Sequence, residues 1–132
     1  MTQEQKELLL KDLCARLPYG VKVKFEYVIT SPVEIIGINK FFIECEDVSA
    51  DIEDVKPYLF PMSSMTEEQT KEYESLCIKE TSECADLSGF FYTRDYYYDT
   101  VESIDYLYKN HIDIRGLIEK KLAIDATNKY IY

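Results

Sequence analysis

The chain has 132 residues, 46% of them apolar, and carries a net charge of −10 from 25 acidic and 15 basic side chains. A chain of this length buries roughly two-thirds of the surface that it exposes when unfolded, so one hydrophobic core can form without metals or disulfides. The charge argues against direct binding to nucleic acid or to an anionic membrane, because such binding requires clustered lysine and arginine.

The N-terminal segment has the pattern of a capped helix. Thr2 and Gln5 have the spacing of a capping box, and leucines then recur every three or four residues to form one apolar stripe. Cys14 falls within this stripe and is expected to be buried, whereas Asp12 falls on the opposite, solvent-facing side. Pro18 ends the helix because proline cannot continue the hydrogen-bond ladder.

From Val21 the apolar period changes to two, which predicts β-strands. Residues 21–55 are interpreted as an antiparallel meander that curls into a small half-barrel. Gly37 indicates a bulge in the second strand. Residues 56–61 contain two prolines and are expected to form an extended connector. The four predicted strands are Val21–Ile29, Val33–Ile38, Phe41–Cys45 and Ala50–Glu53.

Helices dominate the predicted C-terminal half, over residues 64–79 and 100–121. A capping box, T-x-x-Q, begins at Thr66 and marks the start of the first of these helices. Val101–Lys109 has a helical apolar period. A further short helix is expected after Asp113, which can cap it.

The remaining C-terminal segments are predicted from composition. Residues 80–99 contain two aromatic runs on either side of a turn pattern and are interpreted as a β-hairpin. Leu122–Ile124 is expected to form a last short strand, and residues 125–132 a loose tail. We therefore predict one domain, 1–132, of the α+β class: an N-terminal helix, a small curved antiparallel sheet and a helical C-terminal half.

No metal or cofactor site is predicted. Asp47, Ser49 and Asp51 stand at positions 1, 3 and 5 of a calcium loop, but Ile52 and Tyr58 replace the glycine and glutamate that such a loop requires. Four cysteines without a C-x-x-C pair and a single histidine cannot complete a zinc set. Free cysteines, no signal-peptide pattern and no apolar run of membrane-spanning length predict a cytoplasmic protein.

One alternative is a small enzyme that uses His111 with Asp113 or Cys84. An imidazole beside a carboxylate or a thiol can act as a general base. A histidine at a helix C-terminus is also a common structural residue, because it favours that end of the helix dipole. Acidic neighbours of Cys84 oppose formation of a thiolate. No catalytic residue is therefore assigned.

A second alternative is nucleic-acid binding through the predicted helices of residues 101–121, read as a helix-turn-helix. The second helix offers Arg115, Lys120 and Lys121. The first helix and its approach are acidic, which opposes contact with phosphates.

The leading hypothesis concerns an acidic, tyrosine-rich segment, Thr66–Asp105, which carries 11 acidic and three basic side chains. Tyrosine is enriched in protein interfaces because it supplies contact area at a small cost in conformational entropy. We expect this segment to bind a basic protein partner, without enzymatic activity and with no particular oligomeric state implied. The residues proposed for the contact are Glu68, Glu72, Tyr73, Tyr92, Asp95, Tyr96, Tyr97, Tyr98 and Asp99.

Three stretches of the chain, residues 8–21, 55–68 and 104–120, read LLLKDLCARLPYGV, VKPYLFPMSSMTEE and IDYLYKNHIDIRGLIEK. They resemble a group of short hypothetical proteins from phages, prophages and mobile elements of gut Bacteroidales-type bacteria. Residues 78–100 have no counterpart in this resemblance. The group has no known activity, so the resemblance implies a phage or prophage accessory protein and assigns no functional residue.

Overall fold

The structure, a computed structural model, describes residues 1–26, 32–39, 42–46 and 48–132. The chain folds into two compact units. The first unit comprises Met1–Ser64 and Tyr108–Tyr132, and the second comprises Met65–Leu107. Both helices and strands are present and the sheets are open, so the predicted α+β class is confirmed.

Helix α1, Gln3–Arg16, forms as the sequence predicts. The capping box is complete: Gln5 N–H donates to Thr2 Oγ1 at 3.1 Å, and Thr2 N–H donates to Gln5 Oε1 at 3.0 Å. Two side-chain predictions for this helix are wrong. Cys14 is exposed rather than buried. Asp12 is buried rather than solvent-facing, because Arg16, one turn along the helix, is buried with it and balances its charge.

A six-stranded sheet forms the centre of the first unit. Its strands are β1 (Lys22–Phe25), β2 (Val33–Ile38), β3 (Ile43–Cys45), β4 (Ser49–Ala50), β5 (Val55–Leu59) and β8 (Ile124–Asp125). They lie in the order β4-β3-β2-β1-β5-β8, and neighbouring strands are antiparallel except for β5 and β8, which are parallel. The side chains of one sheet face, together with leucines of α1, form the hydrophobic core.

The meander follows the predicted pattern with shorter strands. A register shift between Ile35 and Gly37 confirms the predicted bulge in β2. Residues 27–31, 40–41 and 47 lie outside the described residues. They include the end of the predicted first strand, residues 27–29, and the first residue of the predicted third strand, Phe41. The fourth strand is only Ser49–Ala50, and a 3₁₀ turn follows it.

The predicted connector of residues 56–61 is wrong for most of its length, because β5 is an inner strand of the sheet. Pro57 is buried and pairs with Val23 of β1. The parallel strand β8 pairs only with Tyr58 and Leu59, so Pro57 lies beyond that pairing. A proline is compatible with a strand where no ladder hydrogen bond needs its N–H.

The second unit contains two helices and a hairpin. The predicted hairpin is present and its two strands form a separate sheet. Helix α2 begins at the predicted capping box but ends at Leu76, earlier than residue 79. The elements are α2 (Glu67–Leu76), β6 (Ile78–Ala85), β7 (Phe91–Tyr98) and α3 (Val101–Lys109).

The predicted helix after Asp113 does not form, so the C-terminal half is less helical than expected. Asp113 accepts hydrogen bonds from the backbone N–H of Leu117 at 2.9 Å and of Ile118 at 3.0 Å. These bonds hold a series of turns through which Leu117 reaches the core. Gly116 has a φ of 69°, which a continuing helix does not allow.

The tail, expected to be loose, is attached to the sheet through Tyr132. Its hydroxyl donates to the carbonyl oxygen of Tyr58 at 2.7 Å and accepts from the backbone N–H of Lys22 at 3.0 Å. The ammonium of Lys22 donates to the carbonyl oxygen of Ile131 at 2.9 Å. In the described part of the chain, no helix combines the length and apolar character that crossing a membrane requires.

Candidate interaction surface

The β6–β7 hairpin is unusually exposed for a regular element. All eight residues of β7 are exposed, and β6 has only two half-buried positions. An isolated pair of strands is marginally stable in water, since stable sheets have a third strand or a helix against one face. The hairpin therefore presents more side-chain surface than a structural role requires.

The strand register divides the hairpin into two faces, because successive side chains of a strand point to opposite sides. Tyr92, Tyr96 and Tyr98 lie on one side, which we call the tyrosine face, together with Arg94 of the same strand. The guanidinium carbon of Arg94 lies 5.3 Å from the centre of the Tyr96 ring. The hydrogen bond to Glu80 raises the pKa of Tyr98. This face therefore combines aromatic rings with one acidic side chain, Glu80, and one basic side chain, Arg94.

The opposite face carries Asp95 and Tyr97, so the structure does not bring the whole predicted tyrosine cluster together. The Thr81 hydroxyl donates to Asp95 at 2.7 Å, and the Lys79 ammonium lies 3.5 Å from the same carboxylate. The hydrogen bond from Thr81, followed by the Lys79 charge, lowers the pKa of Asp95. Much of the Asp95 charge is thus already matched within the hairpin.

Three of the other predicted contact residues connect the helices of the second unit. The Tyr73 hydroxyl donates to Asp99, which also accepts from the Ser103 hydroxyl at 3.0 Å. The Tyr106 hydroxyl donates to Glu72 at 2.9 Å. Burial, and then the hydrogen bond to Glu72, raise the pKa of Tyr106 to about 12. These contacts hold α2 against the start of α3.

Glu68 differs from these three residues. It lies one turn before Glu72 on α2 and is exposed. Its charge acts on Tyr106 only as a minor contribution to the raised pKa of that phenol. Of the predicted acidic contacts on α2, Glu68 is therefore better placed than Glu72 to meet a partner.

The tip of the hairpin was missed by the sequence analysis. Leu87 is fully exposed, Phe90 is 73% exposed and Phe91 is 83% exposed. The turn that carries them is fixed by Asp86, whose side chain accepts from the backbone N–H of Ser88 at 2.9 Å and of Phe90 at 3.1 Å. The sequence signal that could have indicated this exposed tip is Leu87, an apolar residue within an otherwise polar turn pattern.

Charge is unevenly divided between the two units. The second unit carries 11 acidic and three basic side chains, a net charge of −8 out of the total of −10. The first unit, with 14 acidic and 12 basic side chains, is close to balanced. A concentrated negative field of this kind attracts basic partners and raises their rate of association.

The residues of the enzyme alternative are placed differently from a catalytic dyad. The His111 ring stacks on Tyr132 with centroids 3.6 Å apart and planes 9° apart. Burial, and then the charges of Arg16 and Lys22, lower the pKa of His111 to about 4. Both carboxylate oxygens of Asp113 accept backbone N–H groups, as described above. Cys84 is half-buried in β6 of the second unit.

The basic residues of the nucleic-acid alternative also have intramolecular contacts. Arg115 donates to the hydroxyl of Tyr108 at 3.2 Å, and the ammonium of Lys120 donates to the carbonyl oxygen of Arg115 at 3.0 Å. These residues lie on turns and not on a recognition helix.

The described residues contain no group of three or more His, Cys, Asp or Glu side chains arranged to hold a metal ion. All four cysteines are free, and burial raises the pKa of Cys45 to about 11. No protein-family model, curated protein or solved structure matches the chain.

Proposed function

We propose that the protein is a non-enzymatic interaction protein that binds a basic protein surface through its second unit. The observation that carries the proposal is the β6–β7 hairpin, whose strand β7 is exposed at every residue within a unit of net charge −8. Exposed aromatic side chains are typical of the centre of a protein interface. A partner that covers these side chains would also supply the packing that an isolated pair of strands needs for stability.

The predicted contact residues take different roles under this proposal. Tyr92, Tyr96 and Tyr98 supply the contact area, and Glu68 contributes to the attractive charge. Glu72, Tyr73 and Asp99 stabilise the second unit through the α2–α3 contacts. Asp95 and Tyr97 belong to the other face of the hairpin and are peripheral to the contact.

The resemblance of three stretches to phage and prophage proteins supplies the biological context of the proposal. In that context the protein is an accessory factor that binds a host protein or a protein of the same phage. The partner would carry clustered lysine or arginine at its contact surface, because the second unit carries a net charge of −8.

Affinity capture from the lysate of phage-infected host cells, at low and at high salt, tests this proposal. The matched variants each change three exposed acids to lysine. In the first variant these are Glu68, Glu83 and Asp105 of the second unit, which make none of the hydrogen bonds described above. In the control they are Glu4, Glu46 and Glu119 of the first unit.

We expect the unchanged protein to capture a basic protein at low salt and to release it at high salt, since screening weakens attraction between exposed charges. The second-unit variant should bind its partner at least about tenfold more weakly, which corresponds to about 1.4 kcal/mol, and should therefore capture much less of it. The control should capture as much as the unchanged protein. Equal capture by both variants would refute the placement of the binding surface.

A further inference from the structure

The outer edge of β7 offers a row of backbone hydrogen-bonding groups. The backbone N–H of Asp86 donates to the carbonyl oxygen of Phe90 at 3.0 Å, which fixes the phase of the ladder next to the Ala85–Phe91 pair. In an antiparallel pair, hydrogen-bonded and non-hydrogen-bonded positions alternate. The groups of Phe91, Thr93, Asp95 and Tyr97 therefore point away from β6.

This edge lacks the usual devices that prevent strand addition. Natural edge strands are commonly protected by proline, by bulges, by short length or by charged side chains. Strand β7 has eight residues, no proline or glycine, no register shift, and only Arg94 and Asp95 as charged side chains. Strand β6 carries three charged residues, Lys79, Glu80 and Glu83. The edge of β7 is thus the more open of the two.

The tyrosine face already holds one arginine in the manner that a partner could use. Arg94 lies over the ring of Tyr96. On the same face, Tyr92 precedes Arg94 by two residues and Tyr98 follows Tyr96 by two residues. Tyr92 is 48% exposed and Tyr98 is 50% exposed. A guanidinium group stacks on an aromatic ring more readily than an ammonium does, because it is planar and less strongly hydrated.

Charge selects among the possible occupants of this edge. A second copy of the chain would bring two units of net charge −8 together, which is electrostatically unfavourable. An arginine-bearing segment instead supplies the opposite charge and the planar group that the tyrosine rings accept. Its backbone would satisfy the outward N–H and C=O groups of β7, as in other cases of strand addition.

We infer that β7 accepts an extended, arginine-bearing segment of a partner protein as a third strand, with its arginine side chains stacked on Tyr92 and Tyr98. This inference rests on the proposed function and specifies the partner chemistry and the mode of binding. Arginines at every second position of the segment would all lie on the tyrosine face, because side chains of a strand alternate.

The probe is a synthetic eight-residue peptide that alternates arginine and threonine, titrated into the full chain at low salt. A peptide with lysine in place of arginine has the same charge and serves as the control. We expect the arginine peptide to bind at least about fivefold more tightly, which corresponds to about 1 kcal/mol of stacking energy. Equal affinity for the two peptides, or no binding of either, overturns the inference.

Two threonine-to-proline variants separate the two edges. Thr93 of β7 and Thr81 of β6 both occupy outward-pointing positions of the ladder, so proline at either site removes an edge N–H without removing a backbone β6–β7 hydrogen bond. Thr81→Pro also removes the hydroxyl hydrogen bond to Asp95, which makes it the more demanding control. Thr93→Pro should weaken binding at least about tenfold, and Thr81→Pro less than about twofold. An equal effect of both variants, with the hairpin folded by NMR, contradicts addition at β7.

Amide hydrogen exchange of the unchanged protein gives a readout that needs no variant. The peptide should slow exchange at Thr93, Asp95 and Tyr97, and leave Thr81 unchanged. Protection that rises with protein concentration and without peptide assigns the edge to a second copy and overturns the inference. Charge-dependent capture of a basic protein without this protection leaves the proposed function standing and refutes strand addition alone.

Discussion

Arg16 is paired with Asp12 in the interior of the first unit. Its Nε donates to Asp12 Oδ2 at 2.7 Å and its Nη2 donates to Oδ1 at 3.2 Å, and both side chains are 0% exposed. The same Nη2 donates to the carbonyl oxygen of Ile112 at 2.6 Å. Arg115 adds a second guanidinium, with its Nε 3.7 Å from Asp12 Oδ1. One buried carboxylate thus balances two basic groups and connects α1 to the segment around Ile112.

Removing the carboxylate should strongly destabilise the first unit. Asp12→Asn leaves the Arg16 charge buried without its counter-ion, and breaking a buried pair in this way costs about 3–5 kcal/mol. Urea denaturation would measure the decrease in the free energy of unfolding. The double variant Asp12→Leu with Arg16→Met should lose much less, because no fully buried charge remains and the guanidinium of Arg115 is partly exposed to water.

The exposed ion pair between Lys6 and Glu53 is the matched control for this measurement. Glu53→Gln removes one charge of a solvent-exposed pair, which contributes little to stability because water and salt screen its attraction. A similar loss of stability in Asp12→Asn and Glu53→Gln would contradict the structural role of the buried pair.

The buried pair also shows which features of the structure the sequence could not predict. Asp12 and Arg16 have the spacing of a helical ion pair, which is typically exposed, and the position of the apolar stripe assigns Asp12 to solvent. Their burial depends on Ile112, nearly one hundred residues away. Local patterns fixed by neighbouring residues, such as the capping boxes at Thr2 and Thr66, were predicted correctly.

The same distinction holds for the sheet and for the candidate surface. Pro57 lies in a strand because β1, distant in sequence, pairs with β5 at Val23. For the tyrosines, composition predicted a contact segment, but only the register separates Tyr92 from Tyr97. Asp99 is exposed, but the sequence alone does not show that it accepts a hydrogen bond from the hydroxyl of Tyr73.

Asp99 and Glu68 should therefore respond differently to charge reversal. Asp99→Lys replaces the acceptor of the Tyr73 and Ser103 hydroxyls with a cation, and the loss of hydrogen bonds to a charged group costs about 1.5–3 kcal/mol. Glu68→Lys should change stability by less than about 0.5 kcal/mol, as for most surface substitutions. Thermal unfolding of each variant would measure the difference. Equal stability of the two variants would show that Asp99 does not support the second unit.

The turn of the hairpin should depend on backbone conformation at Gly89. Its φ is 87°, and a Cβ atom added there meets no heavy atom within 4 Å. Gly89→Ala should therefore destabilise the hairpin by about 1–2 kcal/mol through backbone strain alone. Amide exchange across β6 and β7 would report the loss. Ser88→Ala, which removes one hydroxyl bond to Asp86, is the control and should have the smaller effect; the reverse order would contradict the strain argument.

His111 should make the first unit sensitive to mild acid. Burial, followed by the nearby charges of Arg16 and Lys22, lowers the pKa of His111 from 6.5 to about 4. Between these values the unfolded chain binds a proton at His111 and the folded chain does not, so the free energy of unfolding falls as the pH falls from 6.5 to about 4. Below about 4 both states are protonated and this contribution no longer changes. His111 is the only histidine, so its imidazole NMR signals are unambiguous.

His111→Asn isolates this contribution. His111 has a φ of 60°, a conformation that asparagine tolerates better than most residues. The variant should be less stable at neutral pH, because it loses the stacking of the ring on Tyr132. Its stability should nevertheless fall less steeply between pH 6.5 and 4. Subtracting the stability curve of the variant from that of the unchanged protein cancels the contribution of the carboxylates, which titrate in both. Parallel curves, or an NMR pKa of 6.5 for His111 in the folded protein, would contradict the burial of its imidazole against Tyr132 beside Arg16 and Lys22.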